Sequence, residues 1–298
     1  MSPLKIALVS PSGTFESETL EQSIKTARKL DIEIISESAH RIGTPLFLNG
    51  SKHERLEELY EADKLDVDAL WCTRGGCGAI EFLHDYQEIP RHGPPLIGYS
   101  DATIIHFLRN YHSKRIGIHG PIFFDLSDAK RANLEQIKYL LNKKAEELSY
   151  SPLKSLTPCL FDHIQGELIV MNLISLQSLM GAINPQFFQR KILCLEEINE
   201  PHYKVFRALQ QLKNAGCFYG LKALVIGHFN QDRAQIIEQS FIPLAKELGL
   251  ALFDWPIFGH EKPNWPLLFG ALSTISRVNE RIFTLKYSEQ HDHTQIST

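Results

Sequence analysis

The residues with the clearest chemical potential lie in the stretch Gly98-Tyr99-Ser100-Asp101-Ala102. The residues two before and two after Ser100 are small, as in a relaxed G-x-S-x-G pattern, which turns a strand sharply into a helix. Such a turn would expose the Ser100 hydroxyl and aim the first helical N–H groups, including that of Asp101, at a developing oxyanion. Alternatively, Ser100 or Asp101 simply caps the helix that starts at Ala102.

A serine nucleophile needs a base and a third group that holds the base in place. His260 lies in a loop after an apolar strand, and His119 lies at a predicted strand end; either could be the base or be satisfied by local backbone groups. The acid candidates are Glu196 and Glu197, which follow the apolar run Lys191–Leu195. Successive strand side chains point to opposite faces, so only one glutamate can face a given cleft, and the pair could instead be a solvated acidic turn.

The elements that must position these residues alternate between strands and helices in the first half of the chain. This alternation predicts a parallel sheet with helices on both faces. Ligands bind such sheets at the carboxyl ends of the strands. Polar and glycine-rich clusters follow four predicted strands: Ser10–Thr14, Thr73–Gly78, Gly98–Asp101 and His119–Pro121. Their convergence on one edge predicts the position of a site.

The second half of the chain has a different rhythm, with more strands and fewer helices. The predicted fold class is therefore α/β, with an N-terminal parallel sheet and flanking helices plus a C-terminal mixed, β-rich α/β domain. We expect an N-terminal α/β domain over residues 1–146 that supplies the nucleophile. Residues 147–164 are interpreted as a linker or as strands crossing between domains, and residues 165–298 as a C-terminal domain that supplies the acid and the base.

Composition limits the possible functions. With 298 residues, 43% of them hydrophobic, the chain can form roughly two domains. A net charge of −4 without a block of like charge favours neither nucleic acid nor a membrane surface. The N-terminus resembles a strand rather than a secretory signal, and no apolar run reaches the roughly 20 residues of a membrane helix. We therefore expect a soluble cytoplasmic protein.

Cysteine and histidine spacing does not indicate a metal site. The five cysteines form no C-x-x-C pair, so neither disulfides nor zinc are expected. Cys77 lies in a glycine-rich turn and could be a reactive thiol, although free cysteine is more often a small buried apolar residue. His291 and His293 could bind a metal, but an exposed polar tail is the simpler interpretation.

Five motifs together resemble the LD-carboxypeptidases, the serine peptidase family of the muramoyltetrapeptide carboxypeptidases, which also contains the microcin C self-immunity peptidases. They are Arg74-Gly75-Gly76-Cys77-Gly78, Gly98-Tyr99-Ser100-Asp101, His119-Gly120-Pro121, Leu195-Glu196-Glu197 with Glu200-Pro201-His202-Tyr203, and Gly259-His260 with Pro263-Asn264. The resemblance spans nearly the whole chain in one order. It implies a triad in which Ser100 is the nucleophile, Glu196 the acid and His260 the base.

The resemblance has further implications for the site and its substrate. It implies an oxyanion hole from the backbone N–H groups of Gly76 and Asp101, substrate contacts from Arg74 and Asn172, a homodimer, and a site between two domains. Arg74 could bind the terminal carboxylate of a peptide or form an ion pair across the domain seam. No cofactor or metal is implied.

Two departures from the family pattern affect the expected substrate preference. The family usually has Tyr where Cys77 stands here, and Gly-Gly-Asn where Val170-Met171-Asn172 stands. A third, smaller one is that the counterpart of Glu197 is often Asp.

Three functions follow from this reading of the sequence. The first is hydrolysis of the L,D-peptide bond of a murein tetrapeptide with release of terminal D-alanine, in cell-wall recycling. The second is an immunity-type amidase that cleaves peptidyl or aminoacyl nucleotides. The third is a non-catalytic peptide-binding protein.

Overall fold

The protein folds around two β-sheets, and a computed structural model describes residues 3–128, 133–142, 145, 148–229 and 232–288. The first sheet and its surroundings contain β1 Leu4–Val9, α1 Ser17–Lys29, β2 Ile32–Ser36, α2 Lys52–Ala62, β3 Ala69–Cys72, a 3-10 helix Ala79–Phe82, β4 Leu96–Gly98, α3 Ala102–Ser113, β5 Gly117–His119, a 3-10 helix Phe123–Ser127 and α4 Leu134–Leu141.

The second half begins with β6 Leu153–Ser155, β7 His163–Asn172, α5 Leu173–Ser178, a 3-10 helix Pro185–Phe188, β8 Ile192–Glu197, α6 His202–Asn214 and β9 Ala223–Phe229. It continues with one uninterrupted helical segment, made of α7 Arg233–Ile236, a π-helical turn Ile237–Phe241 and α8 Ile242–Leu248, and then β10 Ala251–Asp254, β11 Leu267–Phe269, β12 Leu272–Arg277 and β13 Ile282–Tyr287.

The first sheet has the order β11-β5-β4-β3-β1-β2, and all its neighbours except β11 and β5 are parallel. Its central strands are buried at every residue, as expected for parallel strands covered on both faces. The edge strand β11 comes from the C-terminal half and pairs antiparallel with β5, with Leu267 opposite His119. The sequence analysis did not anticipate this strand.

The second sheet closes into a barrel of order β10-β6-β13-β12-β7-β8-β9. Strands β7, β8, β9 and β10 are parallel neighbours, and the remaining pairs are antiparallel. The barrel strand β6 lies within residues 147–164, so this segment contains a crossing strand in addition to connecting chain. The division into domains stays a prediction.

The predicted fold class is confirmed by this arrangement of a mostly parallel sheet and a mixed second sheet. In the described part of the chain, no helix is both long and apolar enough to cross a lipid bilayer.

Candidate active site

The chain makes a sharp strand-to-helix turn at Ser100. Strand β4 ends at Gly98, helix α3 begins at Ala102, and Ser100 between them has a φ of +64°. A Cβ at Gly98 would lie 3.0 Å from Cys72 Cβ and 3.1 Å from Ala102 Cβ. The small residues around Ser100 are therefore required by close packing, and the left-handed backbone is the strained conformation found in nucleophile turns.

Asp101 precedes helix α3 but its side chain does not cap it. Its buried Oδ2 instead accepts a hydrogen bond from the backbone N of Ala79 at 2.9 Å. Burial raises the pKa of Asp101, against the opposing effects of the nearby Ser12 hydroxyl, the hydrogen bond from Ala79 and the Arg55 charge. The capping alternative is therefore wrong for Asp101, whose carboxyl group connects the start of helix α3 to the first residue of the 3-10 helix Ala79–Phe82.

The glycine-rich turn after β3 packs directly on Ser100. A Cβ on Gly75 would lie 2.7 Å from Ser100 Cβ and 2.8 Å from its Oγ. Gly76 has a φ of +116°, and a Cβ there would lie 3.0 Å from the Cα of Gly13. The backbone N of Gly13 donates to the carbonyl of Gly75 at 3.1 Å. Only residues without a side chain allow this backbone to approach the serine so closely.

Glu196 and His260 form a buried pair. Nδ1 of His260 donates to Oε2 of Glu196 at 2.7 Å, the carboxylate is fully buried, and the imidazole is 13% exposed. Burial alone would raise the pKa of Glu196, but the nearby imidazoles of His260 and His119 and the hydrogen bond from His260 lower it overall. A carboxylate on Nδ1 fixes the tautomer in which the other ring nitrogen can accept a proton.

The His260 ring contacts the residue that precedes the serine. The ring centroids of Tyr99 and His260 are 4.7 Å apart, and the rings meet edge to face. Since Tyr99 adjoins Ser100, the structure brings the loop after β10 to the serine turn of the first sheet. Tyr99 had no assigned role in the sequence analysis, because an aromatic neighbour of a serine is not a distinctive signal.

Glu197 faces away from His260. Its Oε1 accepts from Asn172 Nδ2 at 3.0 Å and from the backbone N of Ile198 at 2.8 Å, and its Oε2 accepts from Ile174 N at 2.9 Å. Burial, followed by the charge of Glu196, raises the pKa of Glu197 to about 7. The ambiguity between the two glutamates is thus resolved geometrically: Glu196 contacts the imidazole, and Glu197 holds the start of α5.

His119, the rival base, is completely buried at the end of β5. Its ring lies 6.2 Å from that of Tyr99 and 5.9 Å from that of Phe258, centroid to centroid. Burial lowers the pKa of His119 to about 4, although the Glu196 charge opposes this effect. A buried imidazole of this kind is poorly placed to meet a substrate, so His260 is the better candidate base.

The two predicted substrate-binding residues differ in environment. Arg74 is exposed, its Nη1 donates to the carbonyl of Thr14 at 2.6 Å, and within the described residues it forms no ion pair. Asn172 is buried, and its Oδ1 accepts from Ser175 N at 3.0 Å while its Nδ2 donates to Glu197. The Arg74 guanidinium is therefore available to a ligand, whereas the amide of Asn172 already serves the start of α5.

Comparison with known families supports the resemblance across both halves of the chain. Residues 6–120 match the LD-carboxypeptidase N-terminal domain, and residues 165–275 match the LD-carboxypeptidase C-terminal domain. The chain belongs to the LD-carboxypeptidase family.

Two relatives illustrate the sequence similarity within this family. The murein tetrapeptide carboxypeptidase of Pseudomonas aeruginosa is 28% identical over 286 residues, which are 88% of this chain and 90% of that protein. A putative carboxypeptidase of Rickettsia conorii is 28% identical over 287 residues, which are 93% of this chain and 89% of that protein.

Solved structures share the fold. The muramoyltetrapeptide carboxypeptidase of Oxalobacter formigenes superposes with a TM-score of 0.76 at 22% identity, covering 96% of this chain and 100% of its own. An MccF-like protein of Bacillus anthracis gives a TM-score of 0.77 at 21% identity, covering 97% and 98% respectively. At these identities the likeness establishes the LD-carboxypeptidase fold alone.

The two departures from the LD-carboxypeptidase pattern lie in different surroundings. Cys77 is exposed in the turn beside Gly76. Partial burial raises the pKa of Cys77, so its thiol is less readily ionised and the reactive-thiol interpretation loses support. Val170 and Met171 are fully buried in strand β7, where consecutive side chains point to opposite faces of the sheet, so neither lines an open cleft.

No cluster of three or more His, Cys, Asp or Glu side chains able to hold a metal occurs among the described residues. His291 and His293, which the sequence analysis considered as metal ligands, lie outside the described residues.

Proposed function

We propose that the chain is a serine LD-carboxypeptidase that hydrolyses the L,D-peptide bond of murein tetrapeptides and releases terminal D-alanine. The observation that carries the proposal is the 2.7 Å hydrogen bond between His260 and Glu196 beside Tyr99, the neighbour of Ser100. A relative named murein tetrapeptide carboxypeptidase that aligns with most of the chain supports the substrate class.

The proposed reaction uses Ser100 as the nucleophile. Its hydroxyl loses a proton to Nε2 of His260 and attacks the carbonyl carbon of the scissile bond, while Glu196 stabilises the imidazolium. The backbone N–H groups of Gly76 and Asp101 stabilise the oxyanion. The imidazolium then protonates the leaving amine of D-alanine, and water, deprotonated by the same imidazole, hydrolyses the acyl-enzyme.

Arg74 is proposed to bind the terminal carboxylate of the substrate. Its exposed guanidinium lies in the turn that packs on Ser100, and the backbone carbonyl of Thr14 orients it. Guanidinium groups bind carboxylates through two parallel hydrogen bonds, which would select substrates with a free C-terminus. This contact explains how a carboxypeptidase could reject internal peptide bonds.

The test is release of D-alanine from a purified murein tetrapeptide, quantified by chromatography. Ser100→Ala should lower kcat by roughly 10³-fold or more, because removal of a triad nucleophile leaves only binding and oxyanion contributions. Ser178→Ala, at an exposed site on α5 where the hydroxyl bonds only to Ser175, is the matched control and should retain activity. Undiminished D-alanine release by the folded Ser100→Ala variant would refute the assignment.

The immunity-type amidase is the second candidate function. The fold superposes on the MccF-like protein as well as on the muramoyltetrapeptide carboxypeptidase, with TM-scores of 0.77 and 0.76. One MccF structure contains glutamyl sulfamoyl guanosine. Parallel kinetics with a murein tetrapeptide and an aminoacyl sulfamoyl adenosine separate these functions by their kcat/KM ratio.

A non-catalytic role is tested by covalent labelling. A small fluorophosphonate should modify Ser100, and His260→Ala should abolish the labelling, if the serine is activated by the imidazole.

We also propose that the protein acts as a homodimer in the cytoplasm. Light scattering after size-exclusion chromatography tests the assembly, and fractionation of cells tests the location.

A further inference from the structure

His119 lies behind the Glu196–His260 pair, at the seam between the two sheets. It ends strand β5, where its backbone is paired with Gly98 of β4 on one side and Leu267 of β11 on the other. Its side chain is completely buried, and Tyr99 packs edge to face against both histidine rings. The proposed reaction gives this imidazole no role.

The charges around His119 come from three elements. Glu196 on β8 and His260 in the loop after β10 both act on it electrostatically, and His106 on α3 is the third titratable neighbour. Since burial lowers the pKa of His119 to about 4, its imidazole is neutral at neutral pH. A neutral imidazole carries one N–H donor and does not compete with His260 for the catalytic proton.

Three buried side-chain atoms near this seam have no hydrogen-bond partner within the described residues. Neither ring nitrogen of His119 is hydrogen-bonded to another side chain or to the backbone of another residue, and neither is Oε1 of Glu196. Oε2 of Glu196 accepts from Nδ1 of His260, and the amide of Asn172, which also helps to lower the pKa of Glu196, makes its hydrogen bond at 3.0 Å to Oε1 of Glu197. A buried carboxylate oxygen without a donor is unfavourable, and hydrogen bonds around catalytic groups often tighten only when substrate is bound.

We propose that His119 is a positioning residue that supplies the hydrogen-bond donor for Oε1 of Glu196, so that Oε2 stays on Nδ1 of His260. This inference rests on the proposed function, in which Glu196 is the acid and His260 the base of the triad. A hydrogen-bond donor stabilises the Glu196 carboxylate more when His260 is neutral than when His260 is an imidazolium that already neutralises this charge. Losing it should therefore make His260 easier to protonate.

The test is an NMR titration of the His260 imidazole in protein labelled with ¹³C-histidine, with the resonance assigned by its loss in His260→Gln. Because Glu197 titrates near pH 7 and lies beside Glu196, all variants carry Glu197→Gln. His228, which also interacts electrostatically with Glu196, is left unchanged throughout.

His119→Phe should raise the apparent pKa of His260 by about one unit, and the acid limb of kcat/KM for D-alanine release should move with it. His119→Gln and His119→Asn, which keep an N–H donor, should reverse most of the shift. His119→Leu serves as a second variant without a donor in case the His119→Phe variant does not fold. His112→Phe, near the far end of α3, is the control and should change nothing.

A pKa of His260 that is unchanged in a folded variant without a donor overturns the proposal, because a packing role alone would leave the titration unaffected. A shift that Gln and Asn fail to reverse overturns it as well. The titration needs no substrate. A shift in a protein that releases no D-alanine would therefore contradict the proposed function and leave the role of His119 intact.

Discussion

Gly259 provides a sharp test of how the Glu196–His260 pair is held. It lies next to His260 with a φ of +115°, and a Cβ there would lie 2.8 Å from Oε2 of Glu196 and 2.9 Å from its Cβ. The loop cannot easily move away, because the backbone N of Gly259 donates to Oδ1 of Asn264 at 3.2 Å. Gly259→Ala must therefore displace the carboxylate oxygen that binds the imidazole.

The magnitude follows from the contact distance. Ordinary carbon contacts begin near 3.5 Å, so the new methyl group and the carboxylate must separate by about 0.7 Å. Displacements of about 1 Å at a catalytic group can cost about 10²-fold in rate, so kcat for D-alanine release should fall by about that factor. The positive φ costs about 1 kcal/mol and the overpacking a further 1–3 kcal/mol of unfolding free energy.

Gly181→Ala is the matched control. Gly181 also has a positive φ, +90°, but a Cβ there would meet nothing within 4 Å. The Gly181→Ala variant should have a free energy of unfolding in urea about 1 kcal/mol below that of the wild type and should retain the wild-type kcat. Wild-type kcat in Gly259→Ala, or an equal loss of kcat in Gly181→Ala, would refute the reasoning.

Three further predictions concern the same site. Gly75→Ala, whose Cβ would lie 2.8 Å from Ser100 Oγ, should lower kcat by about 10²-fold, as steady-state kinetics will show; wild-type activity would contradict the packing of this turn on the serine. Glu196→Gln should reduce kcat by about 10³–10⁴-fold, whereas Glu197→Gln should reduce it less than about tenfold, and equal losses would contradict the separate roles of the two carboxylates. Glu197 has a folded-state pKa of about 7 against its usual 4.5, so the folded state binds the extra proton between these values. Its stabilising contribution is present in full below pH 4.5 and is lost as the pH rises through 7. The free energy of unfolding of the wild type, measured in urea, should therefore fall by about 2–3 kcal/mol relative to that of Glu197→Gln over this pH window. Parallel curves of this free energy against pH for the two proteins would refute the assigned pKa.

Local sequence signals were sufficient for the serine turn. The small residues at Gly98 and Ala102, the apolar run of β4 and the amphipathic pattern of α3 are all short-range features, and each agrees with the same turn. The alternation of strands and helices also predicted the parallel sheet, because each buried strand and its helix are recognisable from neighbouring residues. The five motifs in one order were enough to name the family.

Strand β11 was not predicted, and barrel strand β6 was anticipated only as one of two interpretations of residues 147–164, for a common reason. Each has only three residues, too few for a periodic pattern to stand out, and each is stabilised by partners far away in the chain. β11 pairs with β5 about 150 residues earlier, and β6 pairs with β10 and β13. Such pairings depend on tertiary packing rather than on local propensity.

The sequence by itself determined which residue types could do the chemistry: a serine on a tight turn, a histidine in a loop, and two adjacent glutamates of which only one could serve. Only the tertiary structure decided that Glu196 contacts His260 while Glu197 supports α5, and that His119 is buried behind them. Alternation along a strand shows that the two carboxylates diverge, but the face that meets the imidazole depends on how the barrel packs against the first sheet. That packing brings together Glu196 and His260, which lie more than 60 positions apart in the chain, so a pattern of neighbouring residues cannot predict it.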